Sequence, residues 1–233
     1  MILTAVFLLN LLCNSKYFNL MEDKTQEQLE QLSEIRDLMK ESTQFLSLSG
    51  MSGVFAGVFA LIGAALVRTD FIEIVSPGYL DILRPESTET IFIKLGYLLL
   101  VGLVVLAASL VMGFIFTIRK AKRNDRKPFD SAAKKMLINL FIPLGLGGVF
   151  CLALVTSGYF GAVAPATLVF YGMALLNAGK YTYRDIRYLG ICEMCLGAIS
   201  MFFIGYGLYF WAFGFGVLHV VYGMAMYFKY DRK

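Results

Sequence analysis

Histidine is nearly missing from this sequence: His219 is the only one in 233 residues. A zinc centre built on two or more histidines is therefore excluded. Charge is scarce too. Lys, Arg, Asp and Glu make up 16% of the chain, where a soluble domain carries about 25%. With 58% hydrophobic residues and a mean hydropathy of +0.67, a soluble fold of this size lacks the interior to hide them. The same composition excludes extended disorder, and the absence of a glycine period excludes collagen. Four cysteines occur, Cys13, Cys151, Cys192 and Cys195. Three lie in apolar segments and none in an evident external loop, so no disulfide framework is expected. The net charge of +4 is too small for a global basic field, and no nucleic-acid partner is expected. Walker, zincin and dinucleotide patterns are absent, so no cofactor is implied.

What is present is a series of long apolar runs. They predict an all-α polytopic membrane bundle of six transmembrane helices, near 47–67, 91–118, 137–156, 160–178, 187–205 and 208–228. About 20 residues are needed to cross the hydrocarbon core. The runs at 160–178 and 208–228 follow their predecessors after only Ser157–Tyr159 and Tyr206–Gly207, which read as tight turns between antiparallel helices in three hairpins. Lys and Arg set the orientation. Eight fall in Arg119–Lys135, three at Lys180, Arg184 and Arg187, and three more at Lys229, Arg232 and Lys233, whereas the two tight turns hold none. The loop 68–90, with five acids against two bases and turn signals at Pro77-Gly78 and Pro85, falls on the other side. Both termini are expected in the cytoplasm.

The domain 47–233 is preceded by two shorter pieces. Residues 21–46 read as a cytoplasmic amphipathic helix, with Leu29, Leu32, Ile35, Met39 and Leu46 at three- and four-residue steps and a capping box of Thr25 with Gln28. Seven acids against three bases in 22–41 make it a poor match to anionic lipid. Its expected partner is the bundle, a second copy of the chain or another membrane protein. Residues 1–20 read as a doubtful extension from an over-extended start codon. The apolar run Ile2–Cys13 is too short to span and no Lys or Arg precedes it. A short interfacial anchor is the alternative.

Several clusters could carry chemistry. Ser49, Gly53, Gly57, Ala60 and Ala64 form a stripe of small residues that lets two helices touch backbone to backbone. Within it, Gly50-Met-Ser52-Gly53 has the GxSG form of rhomboid intramembrane proteases. The match is poor, because those enzymes carry the motif on their fourth span and use a second histidine. An intramembrane serine hydrolase is therefore the remote reading. Pro143, Gly145, Gly147 and Gly148 predict a kinked or broken helix, a feature that marks substrate sites in transporters. Cys192 and Cys195 could with His219 hold a soft metal, but buried cysteine is more often a small apolar filler, and no metal is expected. A faint parallel repeat relates Gly50–Gly57 to Gly190–Gly197 by spacing.

Glu193 and His219 are the leading candidates. An acid inside a span is costly, with a central Asp at about 2.5–3.5 kcal/mol on insertion scales, so such residues face the bundle and find a partner. At about 1.5 Å per residue, Glu193 and His219 lie at similar depths from the cytoplasmic side. They could form an ion pair or share one imidazole hydrogen. Ser52, Asn177 and Tyr222 could complete a cytoplasm-facing polar site for a small polar ligand, an ion or a lipid. The alternative is a structural or assembly subunit in which the pair only pins two helices.

The strings at 45–64, 138–152, 164–182, 185–190 and 210–223 (FLSLSGMSGVFAGVFALIGA to FWAFGFGVLHVVYG) together resemble an uncharacterised six-span family of inner-membrane proteins of the Bacteroidetes. The resemblance covers about residues 25–230. It implies a start at Met21 and supplies no activity.

Overall fold

The computed structural model describes Gln28, Leu32 and residues 45–75, 88–124 and 129–232, with the backbone only at 69–75 and 88–95. The chain divides into two compact units, 1–43 and 44–233. In the first unit Gln28 and Leu32 are helical and exposed. The rest of the expected amphipathic helix up to residue 44, the 1–20 segment and the turn signals at Pro77-Gly78 and Pro85 lie outside the described residues. The helix expected to reach 46 does not do so, since 45–49 is not helical.

Among the described residues of the second unit all regular structure is helical. Helix α1 is Gly50–Val75, α2 is Thr88–Arg123 and α3 is Ser131–Thr156. A 3-10 turn, Phe160–Ala162, leads into α4, Val163–Ala178, and α5 follows at Asp185–Ser200. A second 3-10 turn, Ile204–Tyr206, opens the last helix, α6, which changes pitch along its length. In α6, Gly207–Trp211 and His219–Met226 are α-helical, while Ala212–Leu218 and Tyr227–Asp231 are π-helical.

Among the described residues, five helical stretches are long and apolar enough to cross a membrane: Gly50–Arg68, Gly96–Arg123, Ser131–Thr156, Phe160–Ala178 and Ile204–Asp231. Helix α5 is shorter. Its 16 residues rise about 24 Å against a hydrocarbon core of about 30 Å, and it ends five residues before the expected 205. Leu99, Leu103, Leu110, Val149 and Leu152 all point outward from α2 and α3. So continuous an apolar surface is untenable in water and natural in lipid; the protein is a membrane-spanning helical bundle.

Local chemistry explains the helix ends. The Asp130 carboxylate accepts from the Ala133 N–H at 2.7 Å, a side-chain cap that starts α3 six residues before the expected 137. At its other end the Tyr159 N–H bonds the Leu154 carbonyl at 2.8 Å and the Gly158 N–H bonds that of Val155 at 3.1 Å. Gly158 has φ +79°. This is a Schellman cap, and it needs a residue without Cβ at the left-handed position.

The basic end of the bundle gathers the start of α1, the ends of α2 and α6, and the connector before α5. The stretch 45–49 is tied down there group by group. The Phe45 N–H bonds the Tyr181 carbonyl at 2.7 Å and the Thr182 hydroxyl donates to the Phe45 carbonyl at 2.8 Å. Tyr183 donates to Leu46, and Lys120 to Leu48. The Asp231 carboxylate at the end of α6 accepts from the Gly50 N–H and the Ser49 hydroxyl, each at 2.8 Å, and pairs with Lys120 at 2.7 Å. The far end of the chain thus caps the first helix, where an anion is favoured.

Packing departs from three simple hairpins. Helix α4 packs on α3 and α5, α1 packs on α2 and α6, and the consecutive helices α5 and α6 touch only lightly. The reason lies in the small residues. A Cβ built on Gly57 would stand 2.6 Å from the Gly216 carbonyl oxygen, and one on Gly172 2.5 Å from that of Gly190. Backbones meet at these points, α1 against α6 and α4 against α5. The glycines related by the faint repeat therefore serve close approach in both helices, against different partners.

Candidate functional site

Glu193 is wholly buried and His219 nearly so. The row Asp185, Leu189, Glu193 recurs at four-residue steps and faces α6, as the contacts of Asp185 and Glu193 show. The His219 Nδ1 lies 3.4 Å from Glu193 Oε1 and 3.1 Å from the Gly214 carbonyl oxygen. Its Nε2 lies 2.8 Å from the Tyr171 hydroxyl of α4. Two acceptors on the Nδ1 side require an N–H there. In the neutral ring Nε2 is then the acceptor and Tyr171 the donor.

The site is built on a widened turn. The π-helical stretch Ala212–Leu218 immediately precedes His219, and π segments in helices are frequent at functional positions. His219 stacks near Phe215, at 5.9 Å between centroids, and Tyr171 lies over both rings at 4.9 and 5.4 Å. These rings fix the imidazole plane. Gly214 completes the cradle: a Cβ there would stand 2.5 Å from Glu193 Oε2 and 2.6 Å from a Leu168 methyl. The carboxyl group thus rests against bare backbone and leucine, and neither of its oxygens has a hydrogen bond of good geometry to a protein group.

Of the other residues singled out from sequence, Tyr222 lies one turn beyond His219 and packs on Leu175, Ile186 and Leu189. Its hydroxyl is buried without a protein partner. Ser52 is not joined to the site. Its hydroxyl donates to the Ser49 carbonyl at 2.5 Å, within the first turn of α1, and both ring nitrogens of His219 are occupied elsewhere. The Ser–His pair that a hydrolase needs is not formed.

Asn177 also stands apart, and its place explains a second departure. The helix α3 runs unbroken through Pro143, Gly145, Gly147 and Gly148, so the expected break is corrected. Proline at 143 offers no N–H to the carbonyl four residues back. That carbonyl, of Asn139, accepts from Asn177 Nδ2 at 3.1 Å. The neighbouring helix thus restores the bond that proline removes, as apolar surroundings demand. Gly147 faces Phe170 of α4, whereas Gly145 and Gly148 face outward with nothing near them.

Cys192 and Cys195 lie exposed on the outer side of α5. A surface groove of about 750 Å³ at the start of α3, lined by Phe129, Lys134, Ile138 and Phe141 among others, shares no residue with the site. Sequence reasoning missed Tyr171 and Gly214. A lone tyrosine in a span reads as packing, and nothing in the sequence marks one glycine among 22. No family model, curated protein or solved structure matches the chain.

Proposed function

We propose that the protein crosses the bacterial inner membrane six times, with both termini in the cytoplasm, and binds and passes a proton at an intramembrane site of Tyr171, Glu193 and His219. Five crossings are the long apolar helices. The sixth is the apolar part of α5 together with its connector, where Phe202 and Phe203 stand exposed. The uneven placement of Lys and Arg supports the orientation.

One observation carries the functional reading: a fully buried carboxyl group with unfilled acceptor positions stands 3.4 Å from an imidazole. A group placed only to pin helices would be saturated by its partners. Here one proton can sit on Glu193 or on His219 with the net charge of the pair unchanged. A proton reaching the Tyr171 oxygen lets Tyr171 pass its own hydrogen to Nε2, and the imidazolium then releases the Nδ1 hydrogen to Glu193 Oε1. Tyr171 ends neutral and His219 ends as the Nε2–H tautomer. The reverse sequence returns the proton and resets the ring.

The closed burial of the same pair favours one competing reading, a structural bond between α5 and α6. Glu193→Gln separates the two. Infrared difference spectra on transfer from H2O to D2O are expected to contain a buried carboxyl band that vanishes in Glu193→Gln while the unfolding midpoint is kept. A variant that unfolds early, with no carboxyl band missing, supports the structural reading instead. Reporter fusions at each end test the orientation.

A further inference from the structure

Resting on that reading of the site, we infer that Glu193 and His219 exchange protons with the basic end of the bundle through a polar seam between α5 and α6, in which Tyr222 is the intermediate carrier.

Two contacts mark the ends of the seam. At the basic end the Asp185 carboxylate, 27% exposed, accepts from Lys229 at 2.8 Å and from the Tyr230 hydroxyl at 2.8 Å. Deeper in the bundle Glu193 meets His219. On α5 the two acids are eight residues apart, about 12 Å of helix. On α6, His219 meets Glu193, Tyr222 packs against the cluster that holds Ile186 and Leu189, and Tyr230 bonds Asp185, so all three turn toward α5. Tyr222 stands three residues, or about 4.5 Å, from His219 toward the basic end. It packs on Ile186 and Leu189, the residues that lie between Asp185 and Glu193. Tyr171 packs against the same cluster from α4.

That hydroxyl is the informative atom. It is buried with no protein partner, and a buried hydroxyl so placed carries its full desolvation cost unless water serves it. A phenol with a free lone pair and a free hydrogen accepts from one side and donates to the other. Bridged by water, it links solvent-reached Asp185 to Tyr171, which already bonds His219. The transfer is neutral at every tyrosine: a proton from cytoplasmic water enters at Asp185, each phenol accepts one hydrogen and passes its own, and Glu193 receives the last. At this end Tyr183 of the connector lies beside the Tyr230 ring, 4.2 Å between centroids, Lys229 pairs with Asp185 at 2.8 Å, and the exposed Arg184 is its neighbour in sequence.

The test follows hydrogen–deuterium exchange of the Glu193 carboxyl band in the full chain, reconstituted in lipid. Tyr222→Phe removes only the hydroxyl. It is expected to keep the band while slowing exchange by about 100-fold, the lower range for a positioned proton-transfer group. Asp185→Asn is expected to slow it less, because water reaches that level directly. Wild-type exchange in Tyr222→Phe overturns the path and leaves the proton site standing. A wild-type protein with no Glu193 band overturns both. A second arm needs no mutation. In oriented proteoliposomes an isotope step at the basic face is expected to reach Glu193 first, and faster arrival from the opposite face overturns the path.

Discussion

Asn177→Ala tests how the bundle accommodates a proline in mid-helix. The substitution deletes the amide that donates to the Asn139 carbonyl at 3.1 Å, the acceptor that Pro143 leaves unserved. An orphaned buried carbonyl costs about 1–3 kcal/mol, whereas interhelical side-chain bonds in membranes average about 0.6 kcal/mol and reach about 1.7. Asn139 and Asn177 are both half-buried, which places the expected loss near 1 kcal/mol. The same change in a Pro143→Ala background should cost much less, because the backbone N–H restored at 143 serves the carbonyl. The exposed bond from Lys180 to Asn177 is lost in both backgrounds and cancels. Reversible unfolding of the four proteins in mixed micelles gives the coupling energy directly. A coupling of about 1 kcal/mol is expected, and one within about 0.3 kcal/mol of zero, the scatter of independent sites, refutes the reasoning.

Three further outcomes follow from the geometry. Gly172→Ala forces a methyl to within 2.5 Å of the Gly190 carbonyl oxygen and should cost about 1–3 kcal/mol as an overpacked contact. Gly145→Ala and Gly148→Ala meet nothing within 4 Å and should gain up to about 1 kcal/mol of helix propensity; an unfolding titration that fails to rank them in this order contradicts the packing. Gly214→Ala should push the Glu193 carboxylate away, since its Oε2 is the atom in the way, and ¹⁵N shifts of the His219 ring unchanged by the variant would show that the two groups are not in contact. At Asp185, outside the apolar spans, partial burial pushes the carboxyl pKa up, but hydrogen bonds from Lys229 and Tyr230 outweigh it and the net direction is down. The folded state then binds the proton less readily than the unfolded one. Its contribution is complete above the ordinary carboxylate pKa of about 3.9 and fades as pH falls through the lower folded value. The stability difference between wild type and Asp185→Asn should shrink between neutral pH and acid, and a difference that grows instead reverses the assignment.

The helical class and the long apolar helices are legible in the sequence because burial in lipid leaves so plain a compositional trace. The turn at Ser157–Tyr159 is legible because one glycine does a job that no other residue does as well. Glu193 and His219 stand out because an acid and the lone histidine are conspicuous among apolar neighbours, and the structure sets them 3.4 Å apart. Depth along a helix can be counted, but direction around the axis cannot be counted through a π turn. That is why Gly214 is hidden; Tyr171 reads as packing, and Asn177 and Ser52 match the site in depth but not in contact. Helix partners were equally hidden. Nothing local says that α6 prefers α1 to its neighbour α5, because the preference comes from glycines such as Gly57 and Gly216, far apart in sequence, that match only in space. Asp231 carries no signal of its own in the sequence, because its value as a cap depends on a helix that begins 181 residues earlier.

The cap on α1 also constrains assembly in time. The Gly50 N–H and the carboxylate that receives it are 181 residues apart. At about 5–20 residues per second, roughly 10 to 40 s of synthesis separate them. Throughout that interval the first helix waits in the bilayer with its glycine-lined flank uncovered and its leading amides unserved by Asp231. Lipid, the insertion machinery or a neighbouring chain must occupy that flank until α6 emerges. The contact of α1 with α6 is thus completed only with the last turn of α6, and whatever attends the newly inserted chain must let go of α1 at the moment α6 arrives.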